Sequence, residues 1–145
     1  MDDLLKWLGE QLDEDERIAR AATPGPWEWK REHGEPWQPE PDGWLDYSGE
    51  YLAAAGDGAT LFGPGMTPHA DAVHIAAHDP ARVLREIEAK RRIIAEVVPE
   101  IDGMEDRIDG EWGAGDPTER ESMALLRLLA LPYADRSGFR DDWRP

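Results

Sequence analysis

The chain has 145 residues, and its 32 Asp and Glu against 16 Lys and Arg leave a formal net charge of −16, which argues against nucleic acid or an anionic membrane as a partner of the bulk surface. It holds no Cys, so disulfides, thiolate metal sites and a Cys nucleophile are excluded. No apolar run approaches the roughly 18 residues of a membrane span, and the start Met1-Asp2-Asp3 is acidic where a signal peptide would be basic; a cytoplasmic protein of one domain, residues 1–145, is the expectation.

The first element is an amphipathic helix over about 2–22, carried by Leu4, Leu5, Trp7, Leu8, Leu12, Ile18 and Ala19 at helical spacing. Thr23-Pro24-Gly25-Pro26 ends it, because two prolines and a glycine cannot continue the hydrogen-bond ladder. Trp27-Glu28-Trp29 alternates large apolar and charged residues, which places both indoles on one face of a short strand. Residues 32–43 hold Pro36, Pro39 and Pro41 beside Trp37 and read as a loop. Further strands are expected over 44–47, 51–55 and 59–62, the last two joined by Gly56-Asp57-Gly58, so that 27–62 forms a small antiparallel meander of three or four strands.

After Gly63-Pro64-Gly65 the pattern turns helical. Thr67-Pro68 starts a short helix over 68–78, and Asp79-Pro80 starts a long one over 80–109. In the long helix Val83, Ile87, Ile94, Val97, Ile101, Met104 and Ile108 keep one apolar stripe, with Pro99 expected to kink it rather than end it. A Gly-rich break at 110–115 precedes Asp116-Pro117-Thr118-Glu119, a third helix start, and a helix over 117–131 rich in Leu. The tail, 132–145, carries Phe139 and Trp143 and either wraps back onto the domain or frays. The fold class expected is α+β, a small antiparallel sheet packed with the N-terminal, long kinked and C-terminal helices.

Two segments carry a resemblance. Ala22-Thr23-Pro24-Gly25-Pro26-Trp27, followed later by Asp71-Ala72-Val73-His74-Ile75-Ala76-Ala77-His78-Asp79-Pro80-Ala81-Arg82-Val83-Leu84-Arg85, resembles a family of small uncharacterised proteins encoded by actinobacteria and their phages. The ending Leu128-Leu129-Ala130-Leu131-Pro132-Tyr133-Ala134-Asp135 is similar to that family's carboxyl end, and the Thr-Pro-Gly and Asp-Ala-x-x-Ile-Ala pieces more distantly resemble accessory early proteins of other phages. The resemblance implies a setting, an accessory gene of a phage, prophage or high-GC bacterium, and implies no catalytic residue.

Three groups of side chains are candidates for chemistry. Asp71, His74 and His78 fall on one helical face and supply a carboxylate and two imidazoles, a set that divalent metals use; the plainer reading makes Asp71 a first-turn acid and His78 a C-terminal cap. No metal or other cofactor is called for. Trp37, Trp44 and Trp112 lie in or beside loops among acidic residues, as a protein-binding surface or a cation pocket would place them. The carboxylates Asp102, Glu105, Asp106 and Asp109 lie on the long helix beside its apolar stripe. From these the leading expectation is a non-catalytic protein that binds another protein, steered by charge to a basic patch, in that setting a host nucleic-acid-binding or defence protein. Its rivals are a small-ligand or metal-binding protein, or an enzyme, built from the His74/His78 helix and the Trp-rich loop, and a homodimer assembled through the long helix.

Overall fold

The computed structural model describes residues 1–31, 34–37, 44–45, 49, 51–54, 60–62, 67–113, 115–116 and 120–145. The fold is α+β. Among the described residues, α-helices run α1 (Asp2–Ala21), α2 (His69–Ala77), α3 (Pro80–Arg92), α4 (Val98–Trp112) and α5 (Glu121–Ala130), and short strands occupy β1 (Trp27–Lys30), β2 (Trp44–Leu45), β3 (Tyr51–Ala54), β4 (Thr60–Phe62) and β5 (Thr67–Pro68). Among the described residues no helix is long and apolar enough to cross a membrane. The chain divides into two compact units, one made of Met1–Asp15 with Glu86–Pro145 and the other of Glu16–Arg85.

In the unit of Glu16–Arg85, β1 pairs antiparallel with β3 in the register Trp27↔Ala54 to Lys30↔Tyr51, and β3 pairs antiparallel with β4. β2 stands apart from this ladder and pairs with β5, Trp44 opposite Pro68 and Leu45 opposite Thr67. A meander in chain order is therefore not what forms: β1 skips its sequence neighbour and takes β3. The turn expected at Gly56-Asp57-Gly58 lies outside the described residues. The helix on this sheet is the short α2. Trp29, Leu52 and Ala72 make the buried cluster, and the Trp29 indole N–H donates to the Ala72 carbonyl at 2.6 Å. An indole this deeply buried requires an acceptor, and the helix backbone supplies it.

Segments 22–27 and 71–85 meet in this unit. Asp79, buried between α2 and α3, accepts from the Arg82 amide at 2.8 Å through Oδ1 and from the Trp27 amide at 3.2 Å through Oδ2. One carboxylate thus caps α3 and holds the first residue of β1. Gly25 passes so close that a Cβ there would stand 2.7 Å from Asp79 Oδ1 and 3.0 Å from Ala81 Cβ. The glycine between two prolines is required by close approach. The Gly25-Pro26 peptide bond is cis.

In the other unit, Leu4, Trp7, Leu8 and Leu12 of α1 are buried, as are Leu126, Ala130, Tyr133 and Trp143. The tail wraps back. Trp7 meets Trp143 and Phe139 with ring centroids 5.3 and 5.6 Å apart, and its indole N–H donates to the Ser137 carbonyl at 3.2 Å. Gly138, at φ +85°, lets the chain cross over that indole, where a Cβ would lie 2.9 Å from Trp7 Nε1. Arg136 pairs with Asp15, and its guanidinium stands 4.8 Å from the Tyr133 ring centroid.

The long apolar stripe runs through one continuous helical path from Pro80 to Trp112, with a π-helical turn at Ile93–Val97 joining α3 to α4. There the Val98 amide donates to the Ile93 carbonyl, five residues back. Pro99 is the reason for the irregularity: it has no N–H to offer, and in a regular α-helix its ring collides with the carbonyl four residues before it. A wider turn just ahead of the proline lets the path continue.

Candidate functional site

α4 carries the most unusual surface among the described residues. Met104, Ile108 and Trp112 recur at helical spacing and are 48%, 58% and 84% exposed. With half-buried Ile101 they form one stripe down the helix. Its flanks are acidic. Glu105 and Asp109 fall on one side, Glu100 and Glu111 on the other, and α4 as a whole holds six carboxylates against the single cation Arg107. A cavity of about 380 Å³ opens beside the stripe, lined by Ile101, Met104, Ile108, Asp109, Arg120 and Glu121.

The four carboxylates singled out in the sequence do not all face solvent freely. Glu105 caps α5: its carboxylate accepts from the amides of Glu121 at 2.5 Å and Ser122 at 3.4 Å and from the buried Ser122 hydroxyl at 2.7 Å. Arg120 closes the arrangement, donating to Asp106 at 2.6 Å and to the Asp102 carbonyl at 3.1 Å, with Glu105 at 3.4 Å. Asp109 accepts from the Gly115 amide at 3.4 Å. Burial pushes the Glu105 carboxyl up, but the bonds from Ser122 and the two amides, with the Arg120 charge, outweigh it and hold the group below its usual range. Of the four, Glu105 is thereby half-buried and occupied as the cap of α5. Sequence spacing cannot show this role, because capping motifs are sought within a helix's own first turn and this acid lies 16 residues before the helix it caps.

The aromatic candidates separate. Trp112 ends α4 in solvent, whereas Trp37 is half-buried and packs edge-on against Trp29, centroids 6.5 Å apart, with the Arg31 guanidinium 5.8 Å from its own ring. Trp44 lies in β2, and its side chain is outside the described residues. Trp27, Trp29, Trp37 and Glu28 line a second cavity of about 410 Å³ with Val73 and Ala76 of α2. The loop tryptophan and the histidine helix therefore share a wall.

His74 and His78 stack with ring centroids 4.0 Å apart at the end of α2. His78 Nδ1 lies 2.8 Å from the His74 carbonyl. A carbonyl only accepts, so Nδ1 carries the proton and caps the helix. Asp71 is exposed in the first turn. No group of three or more His, Asp or Glu placed to hold a metal ion occurs among the described residues.

The family model that matches this chain, over residues 1–145, is the family of unknown function DUF6221. The chain belongs to that family. No curated protein and no solved structure matches it. Within this DUF6221 chain, segments 22–27 and 71–85 meet at the Asp79 clasp, a structural task, and the Met104, Ile108 and Trp112 stripe lies outside them.

Proposed function

We propose that this chain acts without catalysis, by binding another protein through the exposed face of α4, with the flanking carboxylates steering a partner that has a basic surface. One observation carries the reading: three large apolar side chains stand side by side in solvent on a helix of strongly negative charge. Singly exposed apolar residues are ordinary, whereas a contiguous stripe rimmed by charge marks an interaction site. The resemblance to proteins of actinobacteria and their phages supports an accessory role there, with a host nucleic-acid-binding or defence protein as the partner.

Photo-crosslinking tests this directly. A benzophenone side chain placed at Ile108, in the cells that make the protein, is expected to capture a discrete protein adduct, and the same group at Val73, an exposed apolar position on α2, is not. The Ile108 adduct should fade between low salt and about 0.5 M salt, where the Debye length falls to a few ångströms. No adduct at Ile108 defeats the reading.

A second reading rests on the cavity lined by Trp27, Trp29 and Trp37, which unites the histidine helix with the aromatic loop: it would take a small ligand in an aromatic, mostly apolar site of ordinary ligand size. A small-molecule screen by thermal shift, with Trp37→Ala as control, tests it; hits that survive the substitution count against this cavity.

A further inference from the structure

Resting on the protein-binding reading above, we infer that the α4 face takes an amphipathic helix with Lys and Arg along both borders of its apolar strip. Ile101 to Trp112 spans about 17 Å along a helix axis, roughly three turns. The stripe is narrow, one residue wide at intervals of three and four, which is the footprint that a facing helix fills with its own apolar positions. Met104 sits within it, an unbranched and polarizable side chain that adapts to the shape of what it meets. A flat sheet or an irregular loop makes poorer use of such a stripe than a second helix laid along it.

Charge decides between a foreign helix and a second copy of the chain. Two α4 faces brought together would oppose Glu100, Asp109 and Glu111 to their own duplicates, with only Arg107 of either helix to compensate. Like charges facing one another across an interface weigh against association. A basic helix meets net negative charge on both borders: Glu100 and Glu111 outnumber Arg107 on one side, and Asp109 lies on the other. Glu105 takes no part, since it is occupied with α5. The partner is thus a protein or peptide presenting three turns of cationic amphipathic helix.

The probe is an 18-residue peptide of Leu and Lys, with Leu at i, i+3, i+4 and i+7, labelled for fluorescence polarisation. It is compared with an isomer of the same composition whose Leu residues are scattered, and with a version carrying Glu in place of Lys. The full chain should bind the amphipathic peptide at least about tenfold more tightly than the scattered isomer, and the acidic version should not bind. Met104→Ser with Ile108→Ser should lose about tenfold for the amphipathic peptide, while Ile18→Ser, at an exposed apolar position of α1, changes nothing. Glu100→Gln with Glu111→Gln keeps the stripe intact and should weaken binding several-fold with a shallower salt dependence, so the inference stays testable even if the serine variant misfolds.

Equal affinity for the two isomers, or an unchanged affinity in both double variants, overturns the inference, since charge alone would then explain capture. Light scattering that shows a dimer broken by the serine pair also overturns it, assigning the face to a second copy. If the benzophenone at Ile108 captures a protein while the amphipathic peptide does not bind, the helical occupant is wrong and the binding role stands. If both fail, both are wrong.

Discussion

Trp7 and Trp112 both extend an apolar pattern on an acidic helix, yet the first is 8% exposed and the second 84%. The difference lies in what returns to cover them. Around Trp7 the tail brings Phe139, Trp143 and the Ser137 carbonyl, and Gly138 lets the backbone pass at contact distance. Along α4 the described chain supplies no comparable cover for Met104, Ile108 and Trp112. Periodicity shows that a helix has an apolar face; only the long-range path of the chain shows whether that face is core or surface.

The largest effect should come from the covered side. Trp7→Ala removes a buried indole, its bond to Ser137 and two ring contacts, and should lower stability by about 4 kcal/mol in chemical denaturation. If it costs under about 1 kcal/mol, the tail is not part of the core and the contrast with Trp112 dissolves. Glu105→Ala should cost about 1.5 kcal/mol, because the α5 amides and the buried Ser122 hydroxyl lose their acceptor. A neutral outcome would show that Glu105 does not cap α5.

Two titrations sharpen the same unit. Tyr133 is buried, close to the Asp15 carboxylate, and these raise its phenol from 10.0 to about 12. A raised phenol favours the fold fully below the unfolded value near 10 and loses that contribution as pH rises toward 12. An ultraviolet titration should show a late phenol ionisation, and Tyr133→Phe should abolish that step. Glu105 has the opposite sign: its carboxyl is held below the usual 4.5, so its contribution is present above that pH and is lost as the medium becomes more acidic. Glu105→Ala should therefore lose less stability than the native chain on going from neutral pH to below 4.5, a flatter acid profile that chemical denaturation at a series of pH values reads. The smallest effect belongs to the open stripe. Met104→Ser and Ile108→Ser should each change stability by no more than about 0.5 kcal/mol, as expected of exposed positions.

Local features of the sequence are the ones most readily recovered. The first helix, the start of α3 at Asp79-Pro80 and the passage of the helical path through Pro99 follow from spacing, capping and the geometry of proline, all within a few residues of the chain. What stayed hidden joins distant segments. Asp79 reads as a cap, but its second bond to Trp27 and the closeness of Gly25 emerge only when residues 52 apart in sequence meet. The β1–β3 pairing bypasses the strand that lies between them in the chain, and Glu105 caps a helix in which it does not lie. Each of these is a tertiary contact that no local window contains. For the candidate site, the apolar positions and the carboxylates were legible one by one; exposure, the property that makes them a site, was not.

The most direct measurement follows both tryptophans at once. The protein labelled with 5-fluorotryptophan gives a separate ¹⁹F resonance for each indole, assigned by substituting Trp7 and Trp112 singly with Phe. Before any partner is added, the Trp112 signal should show a full solvent isotope shift and the Trp7 signal almost none. On saturation with the amphipathic Leu/Lys peptide, Trp112 should move and lose its solvent shift while Trp7 holds its position. A Trp112 signal that stays put and solvent-exposed while the peptide binds elsewhere would contradict the account.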